Sequence, residues 1–325
     1  MIFLYFAILI IGFVALVKGA DIFVDGSSAL AKIFKVPGVI IGLTVVALGT
    51  SLPELAVSTT AALAGANEIA LSNVIGSNIF NLLVVLGFCA VICPVPVDEV
   101  ILRRDFPLSI ILTAGVFAAV GGTSLLNGQI FSKAMADNAG LVSRVVGIIL
   151  LVIFVSYIGY LIFDAIRHPV TEEEISDIPL WKALIFILIG VIMIVAGGKA
   201  VVYSAQNIAR FFGMTETLIG LTVVALGTSL PELVTSIVAA KKGETSLAVG
   251  NVVGSNLFNL LFILGVSTTI HPVTVNVASI YDMAILIFVS LVTLIFSITG
   301  RTVKRGEGAV MLLFYICATA FAVIR

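Results

Sequence analysis

IGLTVVALGTSLPEL occupies residues 41–55 and recurs letter for letter at residues 219–233. The same offset of 178 residues lays NVIGSNIFNLL, residues 73–83, over NVVGSNLFNLL, residues 251–261, with 9 of 11 positions identical. Self-similarity at one fixed offset marks an internal duplication. Outside these two blocks the halves correspond only as apolar against apolar. Something chemical therefore holds the blocks constant while the rest drifts.

The surroundings of the blocks set the fold class. Of the 325 residues, 60% are hydrophobic and 11% charged, too few polar groups to cover a water-soluble domain. Crossing about 30 Å of hydrocarbon as a helix takes roughly 20 residues. Ten apolar stretches of that order follow one another, at 2–17, 37–62, 69–93, 106–121, 145–164, 181–203, 215–240, 246–270, 280–299 and 309–324. The expectation is an all-α membrane protein of ten transmembrane helices, multi-pass in the cell membrane. No Lys or Arg precedes the first stretch and no small-residue cleavage pattern closes it, so it reads as a retained helix and not as a signal peptide.

Loops that follow the odd-numbered stretches hold 12 of the 17 Lys and Arg, and the remaining loops with the tails hold 5. Positive charge accumulates on the cytoplasmic side, which places both termini outside. The net charge of −1 carries no information about partners, and no basic patch suggests nucleic acid. Cys89, Cys93 and Cys317 lie in or beside apolar stretches and read as small hydrophobes.

Five spans separate a position from its duplicate. Five is odd, so the second copy enters the membrane from the opposite side. Residues 1–166 and 181–325 are therefore expected as two inverted-topology five-helix repeats, joined by the cytoplasmic linker RHPVTEEEISDIPL at 167–180. Secondary transporters use this frame, with the substrate site near the midplane and formed by interrupted helices. The linker's Glu172, Glu173, Glu174 and Asp177 read as a solvated acidic run.

Glu54 and its duplicate Glu232 fall inside apolar spans. A carboxylate at such depth costs a few kcal/mol and normally faces an internal cavity where it works. Two in identical settings argue against a packing role. Pro53 and Pro231 lack an N–H and clash with the carbonyl four residues back, so the helix is expected to break around Gly49 and Gly227. Carbonyls from about Ala47 and Ala225 onward are then freed, which at membrane depth is tolerated only beside protein or a cavity.

Helical spacing sets Thr50, Glu54 and Ser58 on one face, with Ser51 adjacent, while Ser77 and Asn81 form an i, i+4 pair beside Gly76. The second half supplies Thr228, Glu232, Ser236, Ser229, Ser255, Asn259 and Gly254. Ser58 and Ser236 are read as helix packing only. The set contains oxygen donors and almost nothing else. Such a site suits Na⁺ and Ca²⁺, Mg²⁺ and Mn²⁺ less well, whereas Zn²⁺ or Cu⁺ would call for His or Cys.

Two carboxylates balance one divalent cation, or two Na⁺, or two protons. That mutual exclusion is a physical basis for antiport without any resident cofactor. Two other classes fit less. A cation channel gains its pore by oligomeric symmetry and not by inverted repeats in one chain, so the chain is expected to work as a monomer. An intramembrane enzyme would need a His or Lys in the blocks to activate a nucleophile.

GLTVVALGTSLPEL with NVIGSNIFN, duplicated, resembles the two alpha repeats of the sodium/calcium exchanger family within the calcium:cation antiporters, and the resemblance spans the ten-helix layout. It implies that the second, third, seventh and eighth helices form the ion-binding core, and that the first and sixth slide across it to alternate access. By motif position, Glu54 and Glu232 would bind Ca²⁺ and share Na⁺ sites with Thr50, Thr228 and the carbonyls of Ala47 and Ala225. Ser51, Ser77, Ser229 and Ser255 would complete flanking Na⁺ sites, and Asn81 and Asn259 would contribute by carbonyl oxygen or through water. Members of the family often carry Asp where this chain has Asn259, so the resemblance implies no particular stoichiometry and argues against K⁺ cotransport. The proton-coupled branch uses different motifs, which makes H⁺/Ca²⁺ exchange the alternative to Na⁺/Ca²⁺ exchange. The linker is too short for the regulatory calcium-binding domain of animal exchangers.

Overall fold

The computed structural model describes residues 2–65, 67–126, 134–167, 169, 177–214 and 225–324. These are nearly all helical. In chain order the helices are α1 Ile2–Phe34, α2 Gly38–Thr50, α3 Leu52–Leu63, α4 Ile69–Ile92, α5 Ile101–Gly121, α6 Arg144–Arg167, α7 Leu180–Phe211, α8 Ala225–Gly227, α9 Leu230–Lys241, α10 Thr245–Ile270, α11 Val277–Arg301 and α12 Arg305–Ala322. Among the described residues eight single helices are long and apolar enough to cross a membrane, and α2 with α3 makes a ninth, bent by 51°. These match nine of the ten expected stretches. Of the seventh, 215–240, the part before Ala225 lies outside the described residues, as do Glu172, Glu173 and Glu174 of the linker.

Several helix boundaries differ from expectation, α7 for one running to Phe211 and not to 203. The first helix was expected to end at 17, with Lys18 and Lys32 in a loop; instead α1 runs unbroken for 33 residues, about 50 Å, and carries both. Nothing between Ile2 and Phe34 stops a helix, and the first proline is Pro37. Likewise α5 begins at Ile101, so Arg103 and Arg104 stand on its first turns and not in a loop.

The chain divides into two compact units, each drawing on both halves of the sequence: Met1–Pro53 with Ile162–Gly254, and Glu54–Leu161 with Ser255–Arg325. In the first unit α1 and α7 lie antiparallel along a seam of glycines. A Cβ at Gly197 would stand 2.7 Å from the Leu16 nitrogen and 2.8 Å from the Gly12 carbonyl oxygen; one at Gly19 would stand 3.0 Å from the Gly190 carbonyl oxygen. Only glycine permits backbones to approach so closely. Helix α9 packs on α1 as well. It ends through Gly243 at φ +84°, where the Glu244 N–H donates to the Ala239 carbonyl. That turn sets Lys242 against Asp21 and Asp25 of α1, each at 2.6 Å, and sets Glu244 where it accepts from the Ser28 hydroxyl.

In the second unit the pairings come in duplicate. Gly87 of α4 meets the Gly308 backbone of α12, and Gly265 of α10 meets the Gly147 backbone of α6. The last carbonyl of α4, at Ile92, accepts from Arg305, and the last of α10, at Ile270, accepts from Arg144, cations placed at the negative helix end. Two short antiparallel sheets follow the same rule. Strand β1 (Val95–Pro96) pairs with β4 (Thr302–Val303), and β2 (Asn138–Val142) pairs with β3 (Val273–Asn276). The apolar windows of α4 and α10 are 78% and 94% buried, against 17%, 22% and 28% for α1, α6 and α7. The helices carrying the second duplicated block are thus the ones shielded from lipid.

Candidate functional site

The prolines of the first duplicated block start helices. Pro53 is the second residue of α3 and Pro231 the second of α9, where a missing N–H removes no helical bond. The breaks fall just before them, at Ser51 (φ −83°, ψ 8°) and Ser229 (φ −92°, ψ 7°), two residues after the expected Gly49 and Gly227. Both serines occupy the bridge region of backbone space, where site residues often sit. As a result Glu54 and Glu232 each occupy the first turn of a helix, whose N-terminal end favours negative charge. Both are fully or almost fully buried, at 0% and 1% exposure.

In the first unit the Ser51 hydroxyl donates to Glu232 Oε1 at 3.0 Å. Thr50 Oγ1 lies 3.0 Å from Asn251 Oδ1, 3.2 Å from the Val46 carbonyl and 3.4 Å from the Ala47 carbonyl. The Ala47 carbonyl also accepts the Ser51 N–H at 3.0 Å, so the break does not release it, and it has only its second lone pair for an ion. Asn251 Nδ2 donates to Ser236 Oγ at 2.9 Å and to the Glu232 carbonyl at 3.5 Å, bracing the helix that carries the carboxylate. Among the described residues Glu232 Oε2 and Thr228 Oγ1 are buried without a hydrogen-bond partner. A buried acceptor left in that condition costs about 1–3 kcal/mol unless a ligand satisfies it. Ala225 opens the short helix α8, and the residues preceding it lie outside the described set.

The second unit holds Glu54, Ser77, Asn81, Ser255 and Asn259, all buried. Asn73 braces Glu54 as Asn251 braces Glu232: its Nδ2 donates to Ser58 Oγ at 2.9 Å and to the Glu54 carbonyl at 3.4 Å. Ser58 and Ser236 therefore do more than fill helix contacts. A π-helical turn opens at Asn81 in one copy and at Asn259 in the other. Such turns loosen the helical ladder and recur at functional sites. Asn81 Nδ2 donates to Asn256 Oδ1 at 3.2 Å, and Asn259 Nδ2 donates to Asn78 Oδ1 at 2.9 Å. The Oδ1 atoms of Asn81 and Asn259 are buried with no hydrogen-bond partner among the described residues.

The structure thus joins Ser51 to Glu232 in one unit and links Asn81 with Asn259, through Asn78 and Asn256, in the other. It adds four carboxamides that sequence reasoning passed over: Asn73, Asn78, Asn251 and Asn256. Their signal was present, since all four lie in the second duplicated block. The assembled donors are carboxylate, carboxamide, hydroxyl and carbonyl oxygens, the set preferred by hard cations. Among the described residues no three His, Cys, Asp or Glu gather into a metal-binding group.

The family profile described as sodium/calcium exchanger protein matches residues 4–163 and 182–324. The sodium/calcium exchanger MaX1 of Methanosarcina acetivorans is 33% identical, across 100% of this chain and 99% of its own. The inner membrane protein YrbG of Escherichia coli is 35% identical, across 94% and 92%. A solved structure of the sodium–calcium exchanger NCX_Mj, soaked with zero Na⁺ and Ca²⁺, superposes with a TM-score of 0.83 at 29% identity, covering all of both chains.

Proposed function

Because the chain belongs to the sodium/calcium exchanger protein family, a family of multi-pass membrane exchangers and not of enzymes, we propose that it exchanges Na⁺ for Ca²⁺ by alternating access at one midplane site shared by Glu54 and Glu232. The observation that carries this reading is the set of buried oxygens left with acceptor capacity: Glu232 Oε2, Thr228 Oγ1, and the Oδ1 atoms of Asn81 and Asn259. Every one is a hard oxygen, and every one lies in a duplicated block. Ala47, Ala225, Thr50, Ser51, Ser77, Ser229 and Ser255 supply the remaining donors of the proposed site. Two carboxylates among neutral oxygens balance one Ca²⁺ or two Na⁺ in turn. The empty site would hold two uncompensated negative charges in a dry interior, a costly state that ties outward passage of one ion to inward passage of the other.

The frame of the proposal is ten spans in two inverted repeats, 1–166 and 181–325, working as a monomer with both termini outside. The paired strands support the count. β1 and β4 share a sheet, so an even number of crossings separates them; the same holds for β2 and β3. Counting only the five helices α5, α6, α7, α10 and α11 between β1 and β4 gives an odd number. A further crossing at 215–240, ending in α9, restores parity for both sheets.

Purified protein in Na⁺-loaded vesicles is expected to take up radioactive Ca²⁺ when external Na⁺ is diluted. Glu54→Gln and Glu232→Gln should each reduce that uptake on the order of a hundredfold or more, since removing one partner of a buried charge interaction costs about 2–5 kcal/mol. Uptake that ignores Na⁺ and follows a pH gradient would replace the sodium reading with proton coupling. Uptake only down the Ca²⁺ gradient, with no counter-ion, would make the protein a channel.

A further inference from the structure

Asn78 and Asn256 stand three residues before Asn81 and Asn259 and are 0% and 1% exposed. Each donates Nδ2 to the other's backbone carbonyl, at 3.2 Å from Asn78 to Asn256 and 3.3 Å in return. A backbone carbonyl can only accept, so the atom facing it must be the amide nitrogen. Oxygen and nitrogen of a carboxamide are ordinarily assigned from their neighbours; here the assignment is forced at both ends of the network. With Nδ2 committed, the remaining atom of Asn78 is Oδ1, an acceptor. The atom of Asn259 lying 2.9 Å from it must then be Nδ2. The atom of Asn81 lying 3.2 Å from Asn256 Oδ1 is Nδ2 by the same logic. What is left over on Asn81 and Asn259 is Oδ1, buried and without a hydrogen-bond donor among the described residues.

We propose that Asn78 and Asn256 are positioning residues that hold the carboxamides of Asn259 and Asn81 with their oxygens presented to the transported cation. The proposal rests on the reading of Asn81 and Asn259 as cation ligands given above. The physical need is direct. The last torsion of an asparagine is broad and roughly two-fold. A half-turn exchanges the carbonyl oxygen for an NH₂ group, which would meet a cation with positively polarised hydrogens. In water both orientations are solvated equally; in a buried site only the hydrogen bond to nitrogen chooses between them. Each copy of the duplicated block chooses for the other: Asn78 orients Asn259, and Asn256 orients Asn81.

That crossed pattern gives a test that a general structural role would not satisfy. Equilibrium binding of radioactive Ca²⁺ to the full-length protein in detergent is measured for N78A, N256A, N81A and N259A, and for the four doubles that combine 78 or 256 with 81 or 259. N78A and N256A should each weaken binding by several-fold to about a hundredfold, the range of coupling between groups in contact. N78A should add nothing further once Asn259 is alanine, yet should multiply with N81A. N256A should add nothing once Asn81 is alanine, yet should multiply with N259A. The separation is expected because each backbone carbonyl survives the alanine change and keeps pinning the other carboxamide.

A second pair of variants covers alanine proteins that do not purify as a single folded species. N78D retains an acceptor for Asn259 Nδ2 but loses the donor to the Asn256 carbonyl, so it should bind Ca²⁺ more tightly than N78L, which removes both at similar volume, without having to match the parent. Equal weakening by N78D and N78L, or doubles that multiply in all four combinations, overturns the positioning role. If N81A and N259A bind Ca²⁺ normally, the ligand reading itself falls. If those two weaken binding while N78A and N256A do not, the ligand reading stands and the positioning role alone is refuted.

Discussion

Replacing Gly197 by alanine should loosen the α1–α7 seam, whereas the same change at Gly159 should not. At Gly197 the added Cβ would meet Leu16 N at 2.7 Å and Gly12 O at 2.8 Å, both backbone atoms that cannot rotate away. Ordinary carbon contacts lie at about 3.5–4.0 Å, so the helices must part by roughly 1 Å. Overpacking of that kind costs about 1–3 kcal/mol, offset by up to ~1 kcal/mol because alanine favours the helix more than glycine does. At Gly159 of α6 the added Cβ meets nothing within 4 Å, so only the favourable part remains. The difference between the two variants cancels the helix preference and should equal the packing cost, about 1–3 kcal/mol. Reversible denaturation in mixed micelles, followed by helix content, measures it. A Gly197→Ala protein as stable as Gly159→Ala, or more so, would refute the seam as a close backbone contact.

Three further substitutions have outcomes worked from the contacts. Asp105, fully buried on α5, accepts from Arg104 Nε at 2.8 Å and Nη2 at 3.2 Å, and from the Tyr157 hydroxyl at 3.0 Å. Asp105→Asn should cost about 3 kcal/mol in a denaturation midpoint, the low end of the range for breaking a buried pair because the Arg104 side chain keeps 20% exposure. Tyr157→Phe, which removes a single donor, should cost about 1 kcal/mol and a loss equal to that of Asp105→Asn would contradict the account. At Lys242 partial burial acts downward, but the hydrogen bonds and charges of Asp21 and Asp25 outweigh it and hold the ammonium above its ordinary pKa. A raised value means the contribution is complete below the ordinary lysine pKa and vanishes as pH rises through the folded one. Parent and Lys242→Met should therefore differ in thermal stability at pH 8 and converge under strongly alkaline conditions, a gap that widens with pH being the adverse result.

Nine of the ten expected apolar stretches, the duplication and the buried glutamates were legible because each is written in hydrophobicity or in repeated letters. The role of the prolines was legible only in part. A proline marks a break, but whether it kinks a helix or begins one depends on where the preceding helix stops, and here it stops at Ser51 and Ser229. The full length of α1 was hidden because its second half carries Asp21, Asp25 and Lys32, charges that look like a loop until Lys242 is seen to face two of them. Asp105 was passed over beside Arg104 for the same reason: adjacent opposite charges read as surface, and only Tyr157, 52 residues away, shows that the carboxylate is buried. The repeated letters marked the four bracing asparagines, but their roles needed coordinates because their partners, backbone carbonyls, the Ser58 and Ser236 hydroxyls and carboxamides of the other copy, lie on other helices.

The paired ends of α4 and α12 also bear on how the protein is made. Ile92 has its carbonyl covered by Arg305, and Gly87 rests on Gly308, contacts that reach across more than two hundred residues. At a synthesis rate of roughly 5–20 residues per second, the wait is on the order of 10–45 s. Throughout that interval α4 stands without α12, and the contact forms only when α12 has left the ribosome. Removal of α12 should consequently strip α4 of partners it was built to hold, a defect felt more than two hundred residues from the cut.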